Sequence, residues 1–169
     1  PHQVKEIRAI EEKYQLPAKT IIEHGYGRLD AIIENRKISK AQPPNNPKKI
    51  LIAPSWGEHS LVETIGNQVV SHLLENKFHV ILRPHPQTIK YAKVQIKEIL
   101  ERHKNNSNFE LEVNIACQDS LHQSDLMISD WSGAALDYSF GLGKPVLFID
   151  VPRKVNNPEY ELLDIIPFE

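Results

Sequence analysis

Four short stretches of the chain carry side chains that could hold or move charge, and each follows an apolar run. They are His24-Gly25 with Arg28, Ser55-Trp56-Gly57, Arg83-Pro84-His85-Pro86, and Ser129-Asp130-Trp131-Ser132-Gly133. In the last of them, small hydroxyls and backbone N–H groups open a helical pattern, where the positive end of the helix macrodipole favours an anion. A phosphate fits that description. Arg83 and His85 sit two apart on a segment that Pro84 and Pro86 keep extended, so both side chains can leave it in one direction. A guanidinium beside an imidazole suits a diphosphate, the first as a fixed charge and the second as a donor or acid. Plainer roles stand beside these: Ser132 as a helix cap, Asp130 as the closure of a turn, and His85 as a solvent-facing loop residue.

These stretches meet only if the elements between them bring them together. Ser124 to Asp150 shows how. Leu126-Met127-Ile128 is a short buried strand that ends on Ser129-Asp130, and Ser132-Gly133 then opens a helix in which Ala135, Leu136, Phe140 and Leu142 share a buried face. Gly141, Gly143 and Pro145 end that helix, and Val146 to Ile149 supplies the next buried strand. The unit is β-turn-α-β with parallel strands.

The same grammar runs through most of the chain. Ile50 to Ala53 is a buried strand running into Pro54-Ser55-Trp56-Gly57, and a helix from Ser60 to Glu75 carries Leu61, Ile65, Val69 and Leu73 at fourfold spacing. Phe78 to Leu82 is the next strand, and Ile89 to His103 a helix with Ala92, Ile96, Ile99 and Leu100 inward. Phe109 to Val113 alternates, as a strand with one wet face near a sheet edge does, and Asp119 to Gln123 is a short helix. Upstream, His2 to Leu16 has helical spacing and stops at Pro17, Thr20-Ile21-Ile22 reads as a first strand, and Arg28-Leu29-Asp30 begins another helix. Lys40 to Lys49 is a loop by composition. Strands and helices alternate about six times, which predicts an α/β fold: a Rossmann-like open parallel sheet with helices on both faces and its turns facing one crevice.

Composition narrows the field. At 169 residues, 40% hydrophobic and 25% charged, the chain reads as one globular domain over 1–169. A net charge of -2 gives no general electrostatic reason to bind nucleic acid. No apolar stretch approaches the roughly 20 residues of a membrane span. The single cysteine, Cys117, rules out an internal disulfide framework and agrees with a cytoplasmic setting. No Cys or His spacing suits zinc, so no metal and no cofactor is expected, and neither a P-loop nor a full dinucleotide fingerprint nor a nucleophile elbow is present. The chain starts on Pro1 and has one methionine, Met127, which leads us to expect a fragment of a larger two-domain protein.

Five motifs in order carry a resemblance: G-Y-G-R-L-D at 25–30, A-P-S-W at 53–56, L-R-P-H-P at 82–86, S-D-L-M-I-S-D-W-S-G-A-A-L-D at 124–137 and K-P-V-L-F-I-D at 144–150. Together they resemble the CDP-glycerol glycerophosphotransferase family, which includes teichoic-acid primases and polymerases. The resemblance implies the C-terminal, nucleotide-binding half of a GT-B architecture. It also implies that His85 is the essential histidine that binds donor pyrophosphate, and that Ser129, Asp130, Ser132 and Gly133 form the phosphate-holding turn. Asp137, Arg28 and Asp30 then match further family positions, with Ser55 and Arg83 as additional substrate contacts. Gly27, Trp131 and Gly133 stand where the family usually has proline, tyrosine and serine.

The function so implied is transfer of glycerol phosphate, or a related polyol phosphate, from a CDP-activated donor to a hydroxyl of a surface-polymer acceptor, with release of CMP. The acceptor, polymer or lipid-linked, would enter through the N-terminal half, in the cytoplasm or peripherally at the inner face of the cell membrane. His85 would donate to the leaving phosphate. Two other functions remain open at the level of sequence: a GT-B glycosyltransferase using a UDP- or CMP-sugar, and a non-catalytic nucleotide-binding or interaction module.

Overall fold

The computed structural model describes residues 2–38, 44–114, 118–152 and 159–165. Cys117 and residues 39–43, which include the start of the loop expected over Lys40 to Lys49, lie outside them. The chain divides into two units, residues 1–26 with 153–169, and residues 27–152.

In the smaller unit, helix α1 (His2–Lys13) precedes an irregular segment. Glu11, buried, accepts from Arg8 Nη1 at 2.6 Å and from the Lys19 amide at 2.7 Å, so polar contacts hold the segment's start. The Tyr14 hydroxyl donates to Glu159, at the head of a 3-10 turn over Tyr160–Leu163. The strand expected at Thr20-Ile21-Ile22 is absent. A three-residue β-branched run has no stability without a partner strand, and Ile22 is 78% exposed. His24-Gly25 therefore follow no strand.

The larger unit is a parallel sheet. After α2 (Gly27–Ile38) come β1 (Lys49–Ile52), α3 (Leu61–Thr64), α4 (Gly66–Glu75), β2 (His79–Leu82), α5 (Pro86–Tyr91), α6 (Lys93–His103) and β3 (Phe109–Leu111). Next are α7 (Asp119–Gln123), β4 (Leu126–Ser129), α8 (Gly133–Leu136) with a π-helical continuation over Asp137–Gly141, and β5 (Val146–Phe148). The strand order is β3-β2-β1-β4-β5, every pair parallel, with Ile52 opposite both Leu82 and Ile128. Expected was a sixth alternation. Five strands are found among the described residues.

Because side chains alternate along a strand, the sheet has two apolar faces and buries both. Ile50, Ile52, Val80, Leu82 and Ile128 pack with Leu61, Val70, Leu74 and Ile99 of α3, α4 and α6. Leu51, Ala53, Ile81 and Met127 pack with Ile32 of α2, Leu121 of α7, and Ala135, Tyr138 and Leu142. The chain runs outward from β1 to β3 and then returns to β4 on the other side of β1. That reversal splits the connections between β1 and β4 and opens a crevice at their carboxyl ends.

Several elements depart from simple periodicity. The helix expected over Ser60 to Glu75 breaks at Ile65 (φ -125°, ψ 9°), after which Val70 and Leu74 are buried and Val69 and Leu73 only partly so. The break seats Gly66 against Ile99, where a Cβ would already lie 3.3 Å from the Leu61 carbonyl. The helix expected from Ile89 starts earlier, at Pro86, because proline suits a first helical position, and it breaks at Ala92. Leu100, expected inward, faces solvent.

In the helix after β4, the π-helical stretch adds a residue to the turn and rotates the positions beyond it. Tyr138 then enters the core with Ala135 and Leu142, while Leu136 and Phe140, expected inside, are exposed, the latter at 67%. Gly141 lies within the helix instead of ending it, and a Cβ there would come within 2.5 Å of Ile32 on α2. Gly143, at φ +62°, is the terminator. The last strand, expected buried, is a sheet edge with Leu147 and Phe148 exposed. Behind it the Tyr138 hydroxyl donates to the Ser124 carbonyl at 3.1 Å, and Lys144 Nζ donates to the same carbonyl at 2.7 Å and to that of Leu121 at 3.3 Å. Among the described residues no helix is long and apolar enough to cross a membrane.

Candidate functional site

The crevice is built around the exit of β1. There the chain passes through Ala53-Pro54-Ser55-Trp56 and turns at Gly57, whose φ of +110° only glycine adopts readily, before the Ser60 amide donates back to the Gly57 carbonyl. Two groups at the end of β4 reach across to this exit. Ser129 Oγ donates to the Ala53 carbonyl at 2.7 Å. The Asp130 carboxylate accepts from the Ser55 amide at 2.5 Å and from the Leu61 amide at 2.9 Å, at the head of α3. Asp130 is only 2% exposed, and both its oxygens are engaged with backbone. Thr88 of α5, also buried, donates weakly to the Ser55 carbonyl at 3.4 Å. Ser55 is thus held at its N–H by one neighbouring loop and at its C=O by the other.

Arg83 and His85 part company. Arg83, 9% exposed, turns into the interior, donating to Ser120 Oγ at 3.2 Å and lying 3.7 Å from the Glu112 carboxylate. That ion pair is longer than a hydrogen bond, and among the described residues the buried Glu112 Oε2 has no hydrogen-bond donor. His85 stays exposed and caps α5: its Nδ1 accepts from the Gln87 amide at 3.1 Å. The ring stacks against Trp56, centroids 6.0 Å apart at 24°. The expectation that both side chains point out together is corrected by burial: strand pairing carries Arg83 into the sheet layer before the two prolines release the chain.

On the β4 side, Ser132 is half-buried and caps the helix, its Oγ accepting from the Ala134 amide at 3.3 Å. Gly133 beside it is exposed, and a Cβ there would meet no atom within 4 Å, so open space adjoins the helix opening. Trp131 Nε1 donates to the Val151 carbonyl at 2.8 Å and tethers the turn. Arg28 stands in the first turn of α2, and its Nε lies 2.6 Å from Asp137 Oδ2. Asp137 is buried and Arg28 largely exposed, so the pair offers its cationic partner outward.

The structure therefore joins the β1, β2 and β4 exits by direct contact. Exposed or half-buried at their ends are Ser55, His85, Ser132 and Gly133, whereas Arg83, Ser129, Asp130 and Asp137 are buried. Sequence reasoning had no place for Thr88, Ser120 and Glu112, and it quoted Trp56 within the Ser55 turn without giving it a role. Trp56 carried a signal, since it directly follows Ser55 in a strand-end turn. The other three are legible only once β2, β3 and α7 are neighbours. Among the described residues no group of His, Cys, Asp and Glu is placed to hold a metal ion. The exposed groups are hydrogen-bond donors and a cation, which suit an anionic ligand.

Residues 3–153 match the family model of the CDP-Glycerol:Poly(glycerophosphate) glycerophosphotransferases. The chain belongs to this family. A teichoic acid glycerol-phosphate primase of Bacillus spizizenii is 27% identical over 86% of this chain, which spans 38% of that protein's length. Among solved structures, the wall teichoic acid polymerase TagF, in a variant soaked with CDPG, is 22% identical over 85% of this chain and 35% of its own, with a TM-score of 0.47. The UDP-GlcNAc 2-epimerase of Methanocaldococcus jannaschii, in complex with UDP-GlcNAc and UDP, is 17% identical over 81% of this chain and 41% of its own, with a TM-score of 0.53. At that level the likeness is one of fold, and this glycerophosphotransferase-family domain has the Rossmann-like α/β fold of GT-B proteins.

Proposed function

We propose that this domain binds the nucleotide end of a CDP-activated glycerol phosphate, or a related polyol phosphate, and serves its transfer to a hydroxyl of a surface-polymer acceptor. The observation that carries this is the bracing of three strand exits into one rim, with Asp130 bonded to Ser55 and Leu61, Trp56 stacked on His85, and open space beside Gly133. The pyrophosphate lies between the turn at Ser129 to Ser132 and His85. Ser132 and the Gly133 backbone donate to one phosphate and His85 to the other. Arg28 supplies outward positive charge, with Asp137 fixing it. Arg83, Ser129 and Asp130 act from behind, holding the loops that present these groups.

In the transfer itself an oxygen of the acceptor bonds to the β-phosphorus as the bridging P–O bond breaks. CMP leaves with that bond's electron pair, and the acceptor proton passes to a base outside this domain. What the domain contributes is position and charge neutralisation, the main sources of rate in phosphoryl-type transfer. The acceptor and the cytoplasmic membrane face belong to this proposal as well.

Isothermal titration calorimetry of the 169-residue chain with CDP-glycerol, CDP, CMP, UDP and a UDP-sugar tests the proposal. Cytidine diphosphates should bind selectively and lose affinity about tenfold or more in His85→Ala and Ser132→Ala, the loss expected for a hydrogen bond to a charged group. Preference for uridine would point to a sugar transferase, and no binding by any nucleotide would overturn the donor-site assignment.

A further inference from the structure

The best-defined side-chain geometry on the rim is that of His85. A backbone N–H can only donate, so the 3.1 Å contact from Gln87 to Nδ1 requires a lone pair on that nitrogen. A neutral ring with that lone pair carries its proton on Nε2. The face of the ring is set by Trp56, at an offset-stacked distance of 6.0 Å and 24°. Trp56 is itself not loose, since Ser55 before it is anchored by Asp130 at the N–H and by Thr88 at the C=O, and Gly57 after it makes the turn.

We infer that Trp56 is a positioning residue, which with the Gln87 amide holds His85 as the Nε2–H tautomer so that it meets the diphosphate as a neutral donor. The inference builds on the donor-binding function proposed above. A neutral N–H can hydrogen-bond to the β-phosphate, the one that is transferred and that CMP lacks, before and after the bridging bond breaks. It gives up no proton of its own, so CMP leaves as the phosphate anion. Buried Asp130 thus acts on the histidine at one remove, through Ser55 and Trp56.

Two measurements on the 169-residue chain separate this inference from the function on which it builds. Nitrogen-15 NMR of the histidine rings, without nucleotide at neutral pH, should show His85 with an unprotonated Nδ1 and a protonated Nε2. A cationic ring or the opposite tautomer would overturn the inference, whatever the chain binds. Calorimetry with CDP and CMP then reads the positioning. Trp56→Leu should weaken CDP about three- to tenfold, the range of an aromatic stacking contact, and leave CMP nearly unchanged, while Trp56→Phe should restore most of the loss. Equal losses for CDP and CMP, or no loss for either, would remove Trp56 from the role. His85→Asn provides the control for folding, because its side-chain oxygen can still accept from Gln87. It should keep the melting temperature and lose the preference for CDP over CMP, and retention of that preference would also count against the donor role.

Discussion

Single residues in this domain divide into those that face the crevice and those that hold it from behind, and substitutions should separate the two. Asp130 accepts two backbone N–H groups while almost wholly buried, so Asp130→Asn places an amide N–H against one of them. The cost should be about 1–3 kcal/mol, the penalty of an unsatisfied buried donor, visible as a shift in the denaturant midpoint alongside weaker nucleotide binding. Ser132→Ala should lose binding at a stability cost of about 1 kcal/mol, that of a lost helix cap. Tyr138 gives a pH-dependent counterpart. Burial pushes its hydroxyl up to about 12 from an ordinary 10, with the Asp125 charge adding and the hydrogen bond to the Ser124 hydroxyl, at 3.0 Å, opposing. Its contribution is complete below pH 10 and falls as pH rises from 10 toward 12, because the unfolded chain gives up the proton first. Burial lowers the pKa of Lys144, which produces the opposite slope, so the tyrosine is isolated by difference. The gap in melting temperature between wild type and Tyr138→Phe should narrow as pH rises above 10, and a constant gap would refute the assignment.

At the scale of elements, the sequence showed most of what positions the site and missed what tunes it. Each central strand was legible because an apolar run such as Ile50 to Ala53 ends abruptly on polar turn residues, and β3 announced its edge position through alternation. The run at Thr20-Ile21-Ile22 had the composition of a strand and no partner, a condition that no local window contains. The π-helical stretch was hidden for a related reason: an α-helical period puts Phe140 inside, and the close packing of α2 on Gly141 is a contact between elements that no local window contains. Gly141→Ala tests that packing. Its methyl group would stand 2.5 Å from Ile32 Cγ2, and the overpacking should cost about 1–3 kcal/mol by chemical denaturation. Likewise the buried partners of Arg83 lie on the far side of β3, so its sequence neighbour His85 suggested a shared direction that burial does not permit.

For the molecule as a whole, the strand order matters more than any one contact. Because β1 lies at the centre and its second neighbour is β4, the site is assembled from stretches far apart in the chain. Ser55 and Asp130 are 75 positions apart, and Ser129 is 76 from Ala53. Loops of that length are costly to close and slow to find their partners. Neighbouring β1 and β2 can pair much sooner, so on refolding from denaturant the sheet signal should recover before nucleotide binding does, as stopped-flow circular dichroism and a fluorescent nucleotide would show. Simultaneous recovery would mean that the two halves of the sheet form in one step. The bridge from Asp130 to the β1 exit then acquires a second meaning, as quality control: a chain that has failed to complete its sheet presents no finished rim, and under the proposed function it cannot sequester donor while it is still folding.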